Sequence, residues 1–502
     1  MRTEIEKAFI SFRIGVHLWI NDNRFKELMQ LFETYKGVTD EVTFFTSETH
    51  PPLPIKTIEE RANILAERMP KVREIGYKTG INILSTIGHH NENLPNSLSD
   101  DYTRMTDLDG NVCHGSFCPN DQAMREYIKR LYQIITLTSP DYIWIDDDVR
   151  LFGHMPITCG CFCDNCLAIF EEEFGIKYTR NKLKDAFNNG DIETKLNIRK
   201  KWLQHNRNTM ARLFELIEKS VHDLKPDMPI GFMTGDRFFE GYDFDRWAEI
   251  LSGKNKAEVF WRPGGGNYTD TVLDGIAGKS HDIGRQVAFL PQSIVSIQSE
   301  LENFTYERLK KSAHATALES ASHIASGCTG TAFNVLSMYD EPLDEYIPLV
   351  AKIRKVRPFL DLLAKNIKRE EPIGLYTGWV KDSFVARNIY GGDWFSGADC
   401  VTAHANVILS TGIPAAYSIH NAKVTALCGD GVVALRDYEI KKILSSGVYM
   451  DAQALKRLNE MGYSDLTGFD VSGGIDHDCI EQLADHHING SFAGRNRDCR
   501  QS

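Results

Sequence analysis

Residues 142–148 read Tyr-Ile-Trp-Ile-Asp-Asp-Asp, and the fold class follows from this stretch and its surroundings. Four apolar residues in a row are typical of a strand that is covered on both faces, as in a parallel sheet flanked by helices. Along the first part of the chain, further β-rich segments alternate with helical ones. The eight predicted strands are residues 12–18, 41–46, 81–88, 142–146, 229–234, 257–262, 295–298 and 330–336. This alternation predicts an α/β protein with a (β/α)8 TIM barrel that carries insertions.

The sequence changes character around residues 365–371, which are rich in charge, and a new strand is predicted at 372–376. We therefore predict a barrel domain at residues 1–368, which includes a cysteine-rich loop, and a smaller α/β domain at residues 369–502. Further strands are predicted in the smaller domain at 407–410, 415–417 and 432–435, alternating with helices at 437–445 and 452–461.

Acidic residues outnumber basic ones in this chain. Its 502 residues include 57 Lys and Arg against 69 Asp and Glu, which gives a formal net charge of -12 at pH 7. Because the basic residues form no run, no nucleic-acid partner is expected. Charges at Glu4, Lys7 and Arg13 argue against a signal peptide, and no uninterrupted apolar run approaches the length of a membrane span. We expect a cytoplasmic protein with no membrane partner.

Six of the eleven cysteines lie between Cys113 and Cys166. Cys161, Cys163 and Cys166 have the spacing CxCxxC, and Cys118 lies upstream in the sequence Ser-Phe-Cys-Pro-Asn. Four thiolates can complete a tetrahedral zinc shell with no position left for a substrate. Ordinary buried cysteines are the alternative, but they have no reason to cluster at such short intervals in one loop. The pattern predicts a structural zinc ion bound by these four thiols, which are expected to be reduced.

Two groups of carboxylates follow predicted barrel strands. Asp146, Asp147 and Asp148 end the fourth strand, and Glu300 and Glu302 come after the seventh. The C-terminal ends of barrel strands are where enzymes of this architecture place their catalytic groups. Glycoside cleavage needs one carboxylic acid that protonates the leaving oxygen and one carboxylate on the other side of the scissile bond. We choose Glu300 over Glu302 for the second role, with a solvated acidic loop as the alternative interpretation.

Several residues near other strand ends are candidates for substrate binding. His89 and His90 follow the third strand in a polar stretch that could bind sugar hydroxyls or satisfy loop hydrogen bonds. Trp261 could stack on a pyranose while Arg262 reaches its hydroxyls, although a single Trp is more often part of a core. Glu302, the reserve for Glu300, is a further candidate for substrate binding. The remaining candidates are chosen by position only: Asn334, Asp236, Arg237 and Trp19.

Together these motifs resemble the family 42 glycoside hydrolases. The resemblance depends on residues 116–120, the strand end at 144–148, the CxCxxC run and Glu300, and it extends over almost the whole chain. The family consists of clan-A β-galactosidases with a four-cysteine zinc site, a flavodoxin-like trimerisation domain and a small C-terminal β domain. By resemblance, residues 369–502 are a trimerisation-type domain and the protein is expected to be a homotrimer. The chain shows no counterpart of the third domain, which indicates a divergent relative or a fragment.

The resemblance also implies roles for single residues. It makes Cys118, Cys161, Cys163 and Cys166 the zinc ligands. It implies that Glu300 is the nucleophile and that Asp148 stands at the position of the acid/base glutamate, with Asp146 as an alternative. Asp147 then replaces an asparagine that binds the sugar 2-hydroxyl. Because an aspartate is about 1.5 Å shorter than a glutamate, the substrate is expected to sit deeper or to have a different shape.

The leading hypothesis is a retaining glycosidase that acts on a terminal sugar. Glu300 attacks the anomeric carbon while Asp148 protonates the leaving group. A second hypothesis combines the Asp residues with His89 or His90 as the cation site of a metal-dependent sugar isomerase or aldolase. A third hypothesis is a carbohydrate-binding barrel that has lost its acid/base function. Under each hypothesis the expected partner is a carbohydrate.

Overall fold

Eight parallel strands form the first part of the protein. The computed structural model describes residues 5–98, 101–235, 243–304, 307–339, 341–396 and 408–471. The eight barrel strands are β1 Phe9–Ile14, β2 Glu41–Phe45, β3 Lys78–Ile83, β6 Tyr142–Ile145, β7 Ile230–Thr234, β8 Val259–Pro263, β9 Gln298–Glu302 and β10 Gly330–Asn334. Two further strands, β4 Arg104–Thr106 and β5 Val112–Phe117, form a separate hairpin. The order β8-β7-β6-β3-β2-β1-β10-β9 is nearly closed into a barrel by a parallel bridge between Trp261 and Ile297. The predicted (β/α)8 architecture is confirmed.

Helices cover the outside of this sheet. In chain order they are α1 Val16–Ile20, α2 Asp22–Thr34, α3 Ile55–Ile75, α4 Gln122–Leu137, α5 Asp164–Phe174, α6 Arg180–Asn188, α7 Ile192–His222, α8 Phe244–Ser252, α9 Asp274–Ala288, α10 Ala313–Ala325 and α11 Ile347–Ile367. On α4, buried Met124, Ile128, Leu131 and Ile135 form one apolar stripe, which determines the side of the helix that packs inward. Among the described residues, no helix combines the length and apolar composition needed to cross a bilayer.

Two long connections leave the C-terminal ends of barrel strands. The connection between β3 and α4 contains the antiparallel β4–β5 hairpin, and the connection between β6 and β7 contains α5, α6 and α7. In the second connection, Phe162 stacks on Trp202 of α7 with ring centroids 4.4 Å apart. Both connections start on the side of the barrel where the carboxylates lie, so they are placed to build a site there.

A second, smaller parallel sheet follows the barrel. It consists of β11 Gly374–Tyr376, β12 Ala415–Ala416, β13 Ala422–Leu427 and β14 Gly447–Met450. Their order is β12-β11-β13-β14, which is the 2-1-3-4 beginning of a flavodoxin-like sheet. Helices Asp437–Leu444 and Ala452–Glu460 belong to this α/β unit. The predicted boundary after residue 368 falls between α11 and β11, and residues 472–502 of the predicted domain lie outside the described residues.

Several predicted boundaries differ from the structure. The strand β9 begins at Gln298, where the predicted strand ends, so the two glutamates lie within the strand and not after it. The predicted strand 432–435 is wrong, because Gly429–Ala434 is a short 3-10 helix and the neighbouring strand is β13. In the predicted strand 407–410, residue 407 lies outside the described residues and 408–410 are not a strand. Short apolar runs do not distinguish strands from buried turns.

Candidate active site

A single buried arginine connects carboxylates from different strands inside the barrel. Arg13, on β1, is 1% exposed, and its Nη1 donates to Glu302 Oε1 at 2.6 Å while its Nη2 donates to Asp146 Oδ2 at 3.2 Å. Asn334 Nδ2, on β10, donates to the same Glu302 oxygen at 3.0 Å. Asn82 Nδ2, on β3, donates to Asp146 Oδ2. Side chains at the ends of five barrel strands are therefore joined by hydrogen bonds to charged carboxylates.

Glu300 lies on the same face of β9 as Glu302, two residues deeper in the barrel. It is 4% exposed, and its carboxylate oxygens accept no hydrogen bond within the described part of the chain. A methyl group on Gly264 would come within 2.6 Å of Glu300 Oε2. Burial, with the charges of Glu302 and Asp147, raises the pKa of Glu300 to about 8 against the opposing charge of Lys279. A buried carboxyl group that accepts no hydrogen bond and has a raised pKa is typical of a functional residue.

Asp147 lies at the rim of this site. Its side chain is 18% exposed and accepts a hydrogen bond from Arg150 Nη1 at 2.5 Å. A ring nitrogen of His50 lies within 4.8 Å of carboxylate oxygens of both Asp146 and Asp147. Burial raises the pKa of Asp147, but the charges of Arg150 and His50 outweigh this effect and lower the pKa to about 2. Asp147 is therefore ionised at neutral pH.

Asp148 has a different environment from its neighbours. It is completely buried, and its Oδ2 accepts hydrogen bonds from three consecutive backbone N–H groups, those of Thr86 at 2.6 Å, Ile87 at 2.7 Å and Gly88 at 2.8 Å. Burial raises the pKa of Asp148 to about 8, although these backbone donors lower it. The carboxyl group stabilises the loop after β3 and has no exposed surface. This geometry does not fit the predicted role of Asp148 as the acid that protonates a leaving group.

His89 and His90 belong to a cluster of imidazole rings. Arg150 Nη2 donates to His89 Nε2 at 2.6 Å, and the His89 ring lies 3.7 Å from the His90 ring and 5.2 Å from the His50 ring. Burial and the charge of Arg150 lower the pKa of His89, so its ring is neutral. Among the described residues, His50 approaches the Asp carboxylates instead of His89 or His90. The cation site predicted from His89 or His90 is therefore not formed.

Trp261 and Arg262, the predicted sugar contacts after the sixth strand, are completely buried. Trp261 packs against Phe232 and Phe244, with ring centroids 5.3 and 4.6 Å away. It is part of the core, which is the alternative that its sequence context allowed. Arg262 Nη1 donates to Asn82 Oδ1 at 2.8 Å inside the barrel. Arg262 therefore acts on the site through Asn82, and neither side chain is exposed for a sugar.

The four cysteines predicted as zinc ligands come together. All four sulfur atoms, those of Cys118, Cys161, Cys163 and Cys166, lie within 4.8 Å of one another. Cys118 Sγ is 3.4 Å from Cys163 Sγ and 3.5 Å from Cys166 Sγ. Four thiolates bound to one zinc ion at about 2.3 Å would stand about 3.8 Å apart. The residues therefore fit a tetrahedral zinc site with no open position, and the zinc ion itself stays a prediction.

Several residues of the site were not identified from the sequence, among them Asn82, Arg13, Arg150 and His50. Arg13 interrupts the otherwise apolar strand Phe-Ile-Ser-Phe-Arg-Ile, and a charge inside a barrel strand needs a partner there. Arg150, soon after the Asp triplet, is a similar signal. His50 gives no such signal, because it lies in a loop after β2 whose position depends on tertiary structure. The positional candidates Asp236 and Arg237 lie outside the described residues.

Known structures share this architecture. The sequence matches no protein-family profile and no curated protein sequence. The structure is similar to a catalytic mutant of a family 42 β-galactosidase from G. stearothermophilus, with a TM-score of 0.61 and 13% identity over 89% of this chain and 72% of that chain. It is also similar to β-galactosidases from Marinomonas ef1 (TM-score 0.60, 10% identity, 88% and 75% covered) and from Rahnella sp. R3 (0.58, 12%, 85% and 68%). At these identities the likeness shows the fold alone.

Proposed function

We propose that this protein is a retaining glycoside hydrolase with Glu300 as its nucleophile. The observation that carries the proposal is the environment of the two glutamates on β9. Glu302 accepts hydrogen bonds from Arg13 and Asn334, whereas Glu300 accepts no hydrogen bond from the described residues. An unbonded carboxylate can attack a sugar without first losing a partner. The barrel shared with proteins named β-galactosidases supports this choice.

In this mechanism a Glu300 oxygen bonds to the anomeric carbon as the bond to the leaving oxygen breaks. A second group gives a proton to the leaving oxygen, and it later accepts a proton from the water that releases the sugar. Asp147, ionised beside Arg150, is placed to accept a hydrogen bond from a sugar hydroxyl, in keeping with its predicted binding role. Arg13 offsets the charges of Glu302 and Asp146 nearby.

A cation-dependent sugar isomerase is less well supported by the same contacts. The carboxylates of Asp146 and Asp147 are already paired with Arg13 and Arg150. A divalent cation would have to compete with two guanidinium groups, and the nearest imidazole is itself held by a carboxylate. The sugar, the trimeric state and the cytoplasmic location stay predictions.

Hydrolysis of a panel of aryl glycosides tests the proposal. Glu300→Gln keeps the size of the side chain but removes its charge, so kcat/KM should fall by roughly 10³-fold or more. Glu59→Gln, on the exposed face of α3, is the matched control and should keep full activity. A slowly hydrolysed 2-fluoro glycoside should label Glu300. Labelling at Glu302 would overturn the assignment, and sugar binding by calorimetry without hydrolysis would indicate a carbohydrate-binding protein.

A further inference from the structure

We propose that His50 is the general acid and base of this site, in place of the carboxylic acid that the sequence predicts. The inference rests on the proposed function, because a proton donor to a leaving oxygen is needed only if Glu300 attacks a glycoside. Asp148 is enclosed by three backbone donors, and Asp147 is paired with Arg150. His50 is the histidine that approaches the carboxylates of Asp146 and Asp147, and Asp147 lies at the rim.

The contacts of His50 orient its ring for proton transfer. Its Nδ1 lies 3.0 Å from Glu92 Oε1, and the same oxygen accepts the His50 backbone N–H at 2.9 Å. Ser85 Oγ donates to the His50 carbonyl and holds the backbone of this loop. A carboxylate on one ring nitrogen sets the tautomer and stabilises the imidazolium ion. This leaves Nε2, which makes no hydrogen bond with the described residues, available to a substrate.

The imidazole is also accessible from solvent. The His50 side chain is 29% exposed, compared with 18% for Asp147, and Glu300 as a residue is 4% exposed. The His89 ring packs edge-on against it with centroids 5.2 Å apart, which restricts rotation of the His50 ring. Of the two groups, His50 is therefore the more exposed and Glu300 the more enclosed. This is the arrangement needed when the leaving group points toward solvent.

The surrounding charges determine the protonation state of His50. The titratable groups that act on it are Glu92, Asp146, Asp147, His89 and His90, and Arg150 binds two of these, Asp147 and His89. Although burial lowers it, the Glu92 hydrogen bond and the nearby carboxylate charges raise the pKa of His50 to about 9. Burial lowers the pKa of both His89 and His90, so these rings add no competing positive charge. His50 thus remains a proton donor at a pH where Glu300 begins to ionise.

The two steps balance in protons and electrons. In the first step a Glu300 oxygen bonds to the anomeric carbon, the bond to the leaving oxygen breaks, and the Nε2 proton of His50 moves to that oxygen. In the second step, neutral Nε2 takes a proton from water as the water oxygen bonds to the anomeric carbon and the Glu300 ester bond breaks. Both side chains return to their starting charges.

The dependence of rate on the leaving group tests this role. General acid catalysis contributes roughly 10²- to 10⁴-fold. We expect His50→Gln to lose that factor in kcat/KM on a phenyl glycoside and to lose much less on the 2,4-dinitrophenyl glycoside, whose leaving group departs without a proton. The fall of kcat/KM above about pH 9 should also disappear. His314→Gln, an exposed histidine on α10, is the matched control and should behave like the wild type.

A second variant keeps the test decisive if His50→Gln does not fold. Glu92→Gln removes the charged acceptor from Nδ1, so the alkaline limb should move to lower pH. An alkaline limb that stays in place, or equal losses of His50→Gln on both substrates, would overturn the role of His50 while the glycosidase assignment stands. Wild-type protein that hydrolyses neither substrate would instead refute the proposed function itself.

Discussion

Asp147 and Asp148 are adjacent in the chain and have opposite environments. Asp147 is partly exposed and paired with Arg150, and the pKa of Asp147 is lowered to about 2. Asp148 is completely buried under three backbone N–H donors, and burial raises its pKa to about 8. Both residues lie in the turn after β6, where Asp147 faces Arg150 and Asp148 faces the backbone N–H groups of the loop after β3. Three identical residues therefore have three different roles, with Asp146 held by Arg13 inside the barrel.

The pH dependence of activity follows from the charge state of Glu300. The groups that set it are Glu302, Asp147, Lys279 and Arg13, together with burial. Because the pKa of Glu300 is raised to about 8, the group is protonated below this pH and cannot attack. We expect kcat/KM to rise about tenfold per pH unit up to that value. Activity that falls as the pH rises through 8 would instead make Glu300 the acid.

Gly264 provides a second test at the level of single atoms. A methyl group there would stand 2.6 Å from Glu300 Oε2 and 3.1 Å from the Thr234 carbonyl oxygen. Gly264→Ala should displace the carboxylate and lower kcat/KM by roughly 10- to 100-fold, since misplacement by about 1 Å has effects of this size. The control is Gly278→Ala on α9, where a methyl group meets no atom within 4 Å. The control should keep its activity and gain up to about 1 kcal/mol of stability. An active Gly264→Ala variant would contradict the role of Glu300.

Helices α9 and α10 are joined to β9 by a cluster of buried charges. Glu319, on α10, pairs with Lys279 of α9 at 3.0 Å and with Lys311 at 2.5 Å, and all three side chains are fully buried. Lys311 Nζ also donates to the Glu302 carbonyl oxygen at 3.0 Å. The helix layer thereby holds the strand end that carries the glutamates. Buried ion pairs add little stability over apolar packing, but removing one partner is costly.

Glu319→Gln tests this link between the elements. The variant leaves two buried ammonium groups without a carboxylate, so the free energy of unfolding should fall by roughly 3 to 5 kcal/mol. Glu59→Gln, which breaks the exposed pair with Arg130, should change it by less than about 1 kcal/mol. Urea denaturation of both variants provides the comparison. If both variants lowered the free energy of unfolding equally, the buried cluster would not be what connects these helices to β9.

At the scale of the whole molecule, the connection between β6 and β7 links the barrel to the smaller unit. Arg199 of α7 is completely buried and donates to the carbonyl oxygens of Val385 at 2.9 Å and Arg387 at 2.6 Å. Trp202, on the same helix, stacks on Phe162 from the cysteine loop. The cysteine cluster, α7 and the start of the smaller unit are therefore one continuous packed region, and loosening the cysteines should weaken it.

The metal content of the protein tests whether the four cysteines bind zinc and stabilise this packed region. We expect about one zinc ion per chain, and Cys163→Ser should lose it and lower the melting temperature, because three thiolates no longer close the tetrahedral shell. Cys328→Ala, a buried cysteine outside the cluster, is the control and should retain the metal. Elemental analysis and thermal unfolding measure both. Wild-type protein without zinc, whose melting temperature is unchanged by a chelator, would remove the site.

The barrel and the cysteine cluster were predictable because their signals are local. The apolar run 142–145 and the alternation of strands and helices depend on neighbouring residues, and so does the spacing CxCxxC. The position of Glu300 near the C-terminal end of the seventh barrel strand was also predictable, but the strand boundary was not, since Glu300 lies within β9 and not after it. Trp261 was ambiguous, since burial by Phe232 and Phe244 depends on packing between distant segments.

The sequence by itself determined the architecture and the residue types that reach the C-terminal end of the barrel. Only the tertiary structure decided which of those residues meet. Arg13 forms a hydrogen bond with Glu302 because β1 and β9 both pair with β10 in the barrel sheet, and His50 approaches Asp147 because two loops converge. The periodicity of apolar residues depends on residues that are adjacent in the chain. The hydrogen-bond partners and pKa values of the site depend on contacts between residues far apart in the chain.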